Sequence, residues 1–231
     1  HGWYRRQRQM CIRDRLRDPN QVVRLVRACI RASEVPISVK MRLGTGGIPD
    51  TALEITERLE SEGVIRVCVH GRTLKQRYSG IADWDSINQI VNSVSIPVIA
   101  NGDVTDAKSA ESCLSVTGAA GLMIGRAAIG RPMIFHTIKK ELGWTKEKPP
   151  WEFDDPIISR IWCWERYLTL CDEVYGEAGS KNSKRHAISF TKGLPGASAM
   201  RVSLHKAQSH QQLGRMVSTY LRDLECSAMA H

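Results

Sequence analysis

Four short apolar runs in this sequence end in residues that can do chemistry. PISVKMRL (36–43) carries Lys40 and Arg42; GVIRVCVHG (63–71) runs into His70 and then Arg72. IPVIANGD (96–103) closes with Asn101, Gly102 and Asp103, and GLMIGRA (121–127) with Gly125 and Arg126. Residues two apart on a strand share a face, so Lys40 and Arg42 project together. Asn-Gly-Asp lets backbone approach an anion, and Gly125 followed by Arg126 joins space to a fixed positive charge. The set reads as a phosphate cradle. Singly, a histidine at a strand end is usually structural, a lysine usually solvated and a Gly-Arg pair commonplace. Recurrence at four successive strand ends is what points to a ligand.

The elements that must position these residues follow from periodicity. Asp18 and Pro19 open a helix whose Val22, Val26, Cys29 and Ile30 repeat at helical spacing. Further helical stretches fall near 51–62, 85–93 and 105–115, between the four β-rich runs. Strands alternating with helices imply βα units and a parallel sheet, and such sheets bind ligands at the carboxyl ends of their strands. After the turn-rich GWTKEKPPWEF (143–153), Asp155 and Pro156 open a helix with Ile157, Ile161, Trp164, Leu168, Cys171 and Tyr175 on one side. A helix near 183–192 stops at Gly193 and Pro195. Ser209 and Gln212 form a capping box for a last helix that buries Leu213, Val217, Tyr220, Leu221 and Leu224. The second region is therefore expected to be a helical bundle.

The 231 residues, 42% hydrophobic, suffice for one large core with an appendage. No apolar run reaches the roughly 20 residues of a membrane span, and the charged start is unlike a secretory leader, which places the chain in the cytoplasm. The seven cysteines are widely spaced, with no Cys-x-x-Cys pair, so neither a disulfide framework nor a metal site is expected. The charge of +9 favours an anionic partner, nucleic acid ahead of membrane. Residues 1–15 hold five arginines against Asp14, +4 of that total, which leaves +5 for the rest. With little apolar periodicity, residues 1–16 read as a segment foreign to the fold or disordered.

SVKMRLG, VHGRTLKQRYSGIADW, PVIANGDV and LMIGRAAIGRP, in this order, resemble the second half of the barrel in tRNA-dihydrouridine synthases, and KGLPGASAMR (192–201) resembles a motif of that family's helical domain. The resemblance covers about residues 17–225. It implies an α/β fold of TIM-barrel type with only strands five to eight present, over residues 17–143, a linker at 144–153 and a helical tRNA-binding domain at 154–231. It also implies an FMN-dependent oxidoreductase that reduces uridine in tRNA to 5,6-dihydrouridine, with NADPH as hydride donor. By the same resemblance Lys40, His70, Asn101, Gly102, Gly125 and Arg126 would hold FMN. Arg72, Lys75, Arg77 and Tyr78 would face tRNA, and Lys181, Lys184, Arg185 and Lys192 would meet its phosphates. For Lys75 and Arg77, and for Lys181, Lys184, Arg185 and Lys192, a merely solvated loop or helix face is the competing reading.

The family's Asn-x-Gly-Cys-Pro loop, which holds its catalytic cysteine acid, does not occur in these residues, and Cys11 lacks its neighbours. No catalytic residue is therefore assigned to this chain, and the polypeptide as given is expected to bind FMN weakly and not to reduce uridine. Two alternatives stay open: another FMN barrel oxidoreductase acting on a small molecule, and a non-catalytic RNA-binding remnant. No protein partner is suggested.

Overall fold

The computed structural model describes residues 16–46, 51–176 and 182–229. The expectations placed on residues 1–15 and on Lys181 lie outside the described residues. The chain divides into two compact units, residues 1–125 and 126–231.

In the first unit, helices and strands alternate: α1 (Pro19–Arg31), β1 (Ser38–Arg42), α2 (Ala52–Ser61), β2 (Arg66–His70), α3 (Trp84–Ser93), β3 (Val98–Asn101), α4 (Ala107–Thr117) and β4 (Gly121–Met123). The caps are local and legible. Asp18 accepts from the Gln21 amide with Pro19 in the first turn, and Asp83 accepts from Ser86 N at 2.9 Å. Asp106 and Ser109 cap each other's backbone, and the same helix ends on Gly118 in the left-handed region at φ 64°.

The strands form a parallel sheet in the order β1-β2-β3-β4, with β1 and β4 at its edges among the described residues. Parallel strands in sequential order, joined by right-handed crossovers, put every connecting helix on one side of the sheet. That side carries Val67, Val69 and Ala100, all fully buried, and the helices supply Ile55, Leu59, Ile87, Ala110 and Cys113, also fully buried. Each such side chain contributes roughly 1.5–3 kcal/mol, apart from the smaller alanines and cysteine. The core therefore lies between sheet and helices, and the opposite face is left to the chemistry.

The second unit starts with a 3₁₀ turn (Arg126–Ala128), then α5 (Ile134–Glu141), α6 (Pro156–Tyr175), α7 (Ser183–Thr191), α8 (Ala197–Lys206) and α9 (His210–Met229). Trp164, Ala187, Phe190, Leu204, Leu213, Val217 and Leu221 form its core, and Trp164 donates its indole N–H to the Gly214 carbonyl at 3.4 Å. Residues 126–153, read from sequence as barrel and linker, contribute Met133 and Trp151 to this core. Gly130, at φ 76°, lies so close to α7 that a Cβ would come within 2.4 Å of the Ser189 backbone. Ser209 accepts from the Gln212 amide as expected, whereas the Gln212 side chain reaches one residue further back, to Gln208 N at 2.8 Å. Helices α5 and α8 were not expected from sequence. Among the described residues no helix is long and apolar enough to cross a membrane.

Candidate functional site

The sheet register sorts the strand-end residues into two layers on the face opposite the connecting helices. Arg42 pairs with His70, His70 with Asn101, and Asn101 with Met123. One layer below, Lys40 pairs with Cys68, Cys68 with Ile99, and Ile99 with Gly121. Aligned residues of parallel strands point the same way, so one surface collects Lys40, Arg42, Cys68, His70 and Asn101.

Within this surface Lys40 Nζ donates to Asn101 Oδ1 at 3.1 Å, and Asn101 Nδ2 donates to the Met123 carbonyl at 2.6 Å. Asn101, expected at a phosphate, thus ties β1, β3 and β4 together through its side chain. Gly102 follows at φ 130°, where a Cβ would lie 2.7 Å from Ala82 Cβ and 3.2 Å from the His70 ring. Internal packing already demands this glycine. His70 is 7% exposed. Burial pushes its imidazole down to about 4, and the cations Arg42, Lys40 and Arg72 push the same way against Asp103. It is therefore neutral at pH 7, a hydrogen-bonding group and not a proton donor of the charged kind. Cys68 lies beneath, its Sγ 3.5 Å from Met123 Sδ, and burial raises its thiol so that it stays protonated.

Arg72 departs most from expectation. Its side chain is 2% exposed, and it forms a two-pronged pair with Asp103, at 2.8 and 2.7 Å. The same guanidinium donates to the carbonyls of Ser79 and Gly80. Asp103, held at φ 59°, also accepts from Ala82 N at 2.7 Å. Arg72 is an internal clasp that folds the 72–82 loop onto the turn after β3, and it cannot face RNA from there. Arg42 pins the same loop from β1, donating to the carbonyls of Thr73 and Arg77. Sequence offered no means of choosing between RNA phosphate and Asp103 as the partner of Arg72, since either satisfies a planar fork of donors.

The clasped loop presents Lys75, Arg77 and Tyr78 outward. Tyr78 is 58% exposed, its ring lies 6.4 Å from that of His70, and the Arg42 guanidinium sits 5.5 Å from its centroid. An aromatic face beside His70 thus stands at the mouth of the site. Gly125 ends the first unit with no atom within 4 Å of where a Cβ would lie, so its backbone is open to a guest. Arg126 begins the 3₁₀ turn of the second unit and is exposed.

In the helical unit the expected tRNA residues split. Lys184 Nζ donates to the carbonyls of His205 (2.9 Å) and Ala207 (3.2 Å), capping the end of α8, where a cation also meets the negative end of the helix dipole. Arg185 and Lys192 are exposed. Arg201 and Lys206 on α8 are exposed too.

Among known protein families, the model described as "Dihydrouridine synthase (Dus)" matches residues 15–225. A probable tRNA-dihydrouridine synthase of Rickettsia bellii (strain RML369-C) is 35% identical over 187 residues, 80% of this chain and 56% of that protein. tRNA-dihydrouridine synthase B of Proteus vulgaris is 35% identical over 178 residues, covering 77% and 54%. The protein of the same name from Pseudomonas putida is 34% identical over 197 residues, covering 85% and 57%. The chain spans about half the length of the curated relatives it matches.

Proposed function

Because this chain belongs to the dihydrouridine synthase family, we propose that it forms the second half of the barrel, and the helical domain, of an FMN- and NADPH-dependent enzyme that reduces uridine in tRNA to 5,6-dihydrouridine. The observation that supports this reading is the layer Arg42, His70, Asn101, with Lys40 bonded to Asn101, on the sheet face opposite the connecting helices.

The residues present suit an anionic flavin nucleotide. Lys40 and Arg42 flank His70 on this face, and the open backbone at Gly125 offers space at the strand ends. Lys40, His70, Gly125 and Arg126 would hold the group, with Asn101 and Gly102 positioning Lys40 and His70. FMN, when bound, supplies a hydride that originates in NADPH. A lysine ammonium in this layer favours negative charge on a bound ring system, and it costs no reorganisation because Asn101 already fixes it. His70, neutral, orients by hydrogen bonding. The proton for the uracil must come from another group, since the family's cysteine loop is absent from these residues.

For tRNA, Arg77 and Tyr78 on the clasped loop and Arg185 and Lys192 on the helical unit would supply phosphate contacts and a stacking face, and the target base must leave its stack. Such an enzyme works in the cytoplasm. By itself, the 231-residue polypeptide is expected to bind FMN weakly and to leave uridine unreduced. The test joins residues 16–231 to the portion of the Proteus vulgaris relative that they do not cover. Colorimetric detection of dihydrouridine in an unmodified tRNA transcript supports the reading; a folded hybrid that yields none overturns it.

A further inference from the structure

The helical unit contains a cavity of about 430 Å³ that the proposed chemistry does not use. Trp151, Trp162, Arg166, Tyr167, His186 and Phe190 line it. We propose that this cavity receives an unpaired nucleobase of the bound RNA, separate from the uridine that is reduced; this rests on the reading of the chain as a tRNA-binding enzyme.

Three features argue for a flat heterocycle. The volume falls in the range of small-ligand sites, and the walls are aromatic with few polar groups, the usual composition of such sites. Tyr167 is stacked on buried Trp164 with centroids 5.3 Å apart and planes 26° apart, so one ring face is covered while the residue still lines the cavity. His186 and Phe190 stand with ring centroids 5.2 and 5.9 Å from the same ring, so a base entering there would join an aromatic cluster. At the edge of the same ring, Tyr167 Oη and His186 Nδ1 form a 2.9 Å hydrogen bond, a polar pair that can address the rim of a base. Burial lowers His186 and raises Tyr167, so both are neutral at pH 7, which suits an uncharged base better than a phosphate. The walls are set by the backbone: Gly130 packs directly on Ser189, bringing the 3₁₀ segment against α7. Exposed Arg185 and Lys192 on α7 and at its end give the RNA backbone a place to run nearby.

The experiment titrates the 231-residue chain with a fluorescently labelled adenosine hexanucleotide RNA and with the same backbone carrying abasic sugars, following anisotropy at several salt concentrations. Base stacking on aromatics is expected to make the base-bearing strand bind about tenfold tighter, with equal salt slopes because the phosphates are equal. Trp162→Ala, checked for helicity, is expected to remove that tenfold difference and leave the slope alone. Tyr78→Ala removes the exposed stacking face on the clasped loop and is expected to leave the tenfold difference in place, so the cavity can be assigned even if Trp162→Ala unfolds; loss of the difference in Tyr78→Ala overturns the proposal. Equal affinity for both strands overturns the proposal and makes the cavity an apolar packing surface, while RNA binding itself survives. Adenosine monophosphate binding that Trp162→Ala abolishes, without any abasic effect in RNA, assigns the cavity to a free nucleotide and also overturns it. No binding of either strand at low salt overturns the tRNA reading instead.

Discussion

Replacing Asp103 with asparagine removes one charge from the Arg72 clasp and almost nothing else. Asparagine tolerates the left-handed backbone at φ 59°, and its carbonyl can still accept from Ala82 N. What is lost is the partner of a guanidinium whose side chain is 2% exposed. Removing one member of a buried pair costs about 3–5 kcal/mol, because the other charge is left uncompensated. Asp103 itself is 29% exposed, which places the expected loss near the lower end, about 3 kcal/mol. For a unit of this size that lowers the Tm by roughly 10 °C or more. The assay is thermal and urea unfolding followed by circular dichroism, with Arg72→Gln and the double variant completing a cycle. The double variant should lose about 2 kcal/mol less than the two single losses together. A Tm shift below about 2 °C for Asp103→Asn would show that the pair holds nothing, and Arg72 would again be available to RNA.

Lys184→Met should lower stability by about 1 kcal/mol in urea unfolding through loss of the α8 cap, and leave the salt slope of tRNA binding unchanged. Arg185→Gln and Lys192→Gln should do the reverse, each reducing that slope by about one with no shift in the urea midpoint. Since His70 titrates near 4 when folded and near 6.5 otherwise, the unfolded chain takes up the proton first. Its contribution is complete above about pH 6.5 and is lost as pH falls towards 4, and His70→Gln should flatten that part of the stability profile. Gly102→Ala should cost about 1–3 kcal/mol, because its Cβ would press on Ala82 and the His70 ring at a backbone angle that alanine resists.

Where the sequence spoke through local rules, it could be read. The caps at Asp18, Asp155 and Ser209 and the four β-rich runs announce themselves within a few residues, and the structure has a helix or strand at each. Helix α8 was illegible because it follows Gly-Leu-Pro-Gly, which reads as a stop, and starts from Gly196 in the left-handed region without a side-chain cap. Helix α5 is short and likewise lacks a side-chain cap. In the candidate site, Lys40 and Arg42 sharing a face was visible from spacing, but the Lys40–Asn101 bond needs the register across three strands. Arg72 and Lys184 could not be assigned, since their partners lie 31 and more than 20 residues further along the chain.

The flavin nucleotide is proposed to bind on the face of the sheet opposite its connecting helices. The most direct test of this placement is FMN fluorescence quenching by the hybrid of residues 16–231 with the uncovered portion of the Proteus vulgaris relative, alongside the same hybrid carrying Lys40→Met. Saturable quenching by the first and at least tenfold weaker binding by the second are expected. Saturable binding that is indifferent to Lys40→Met, or a cooperatively folded hybrid that leaves FMN fluorescence untouched, would contradict the placement.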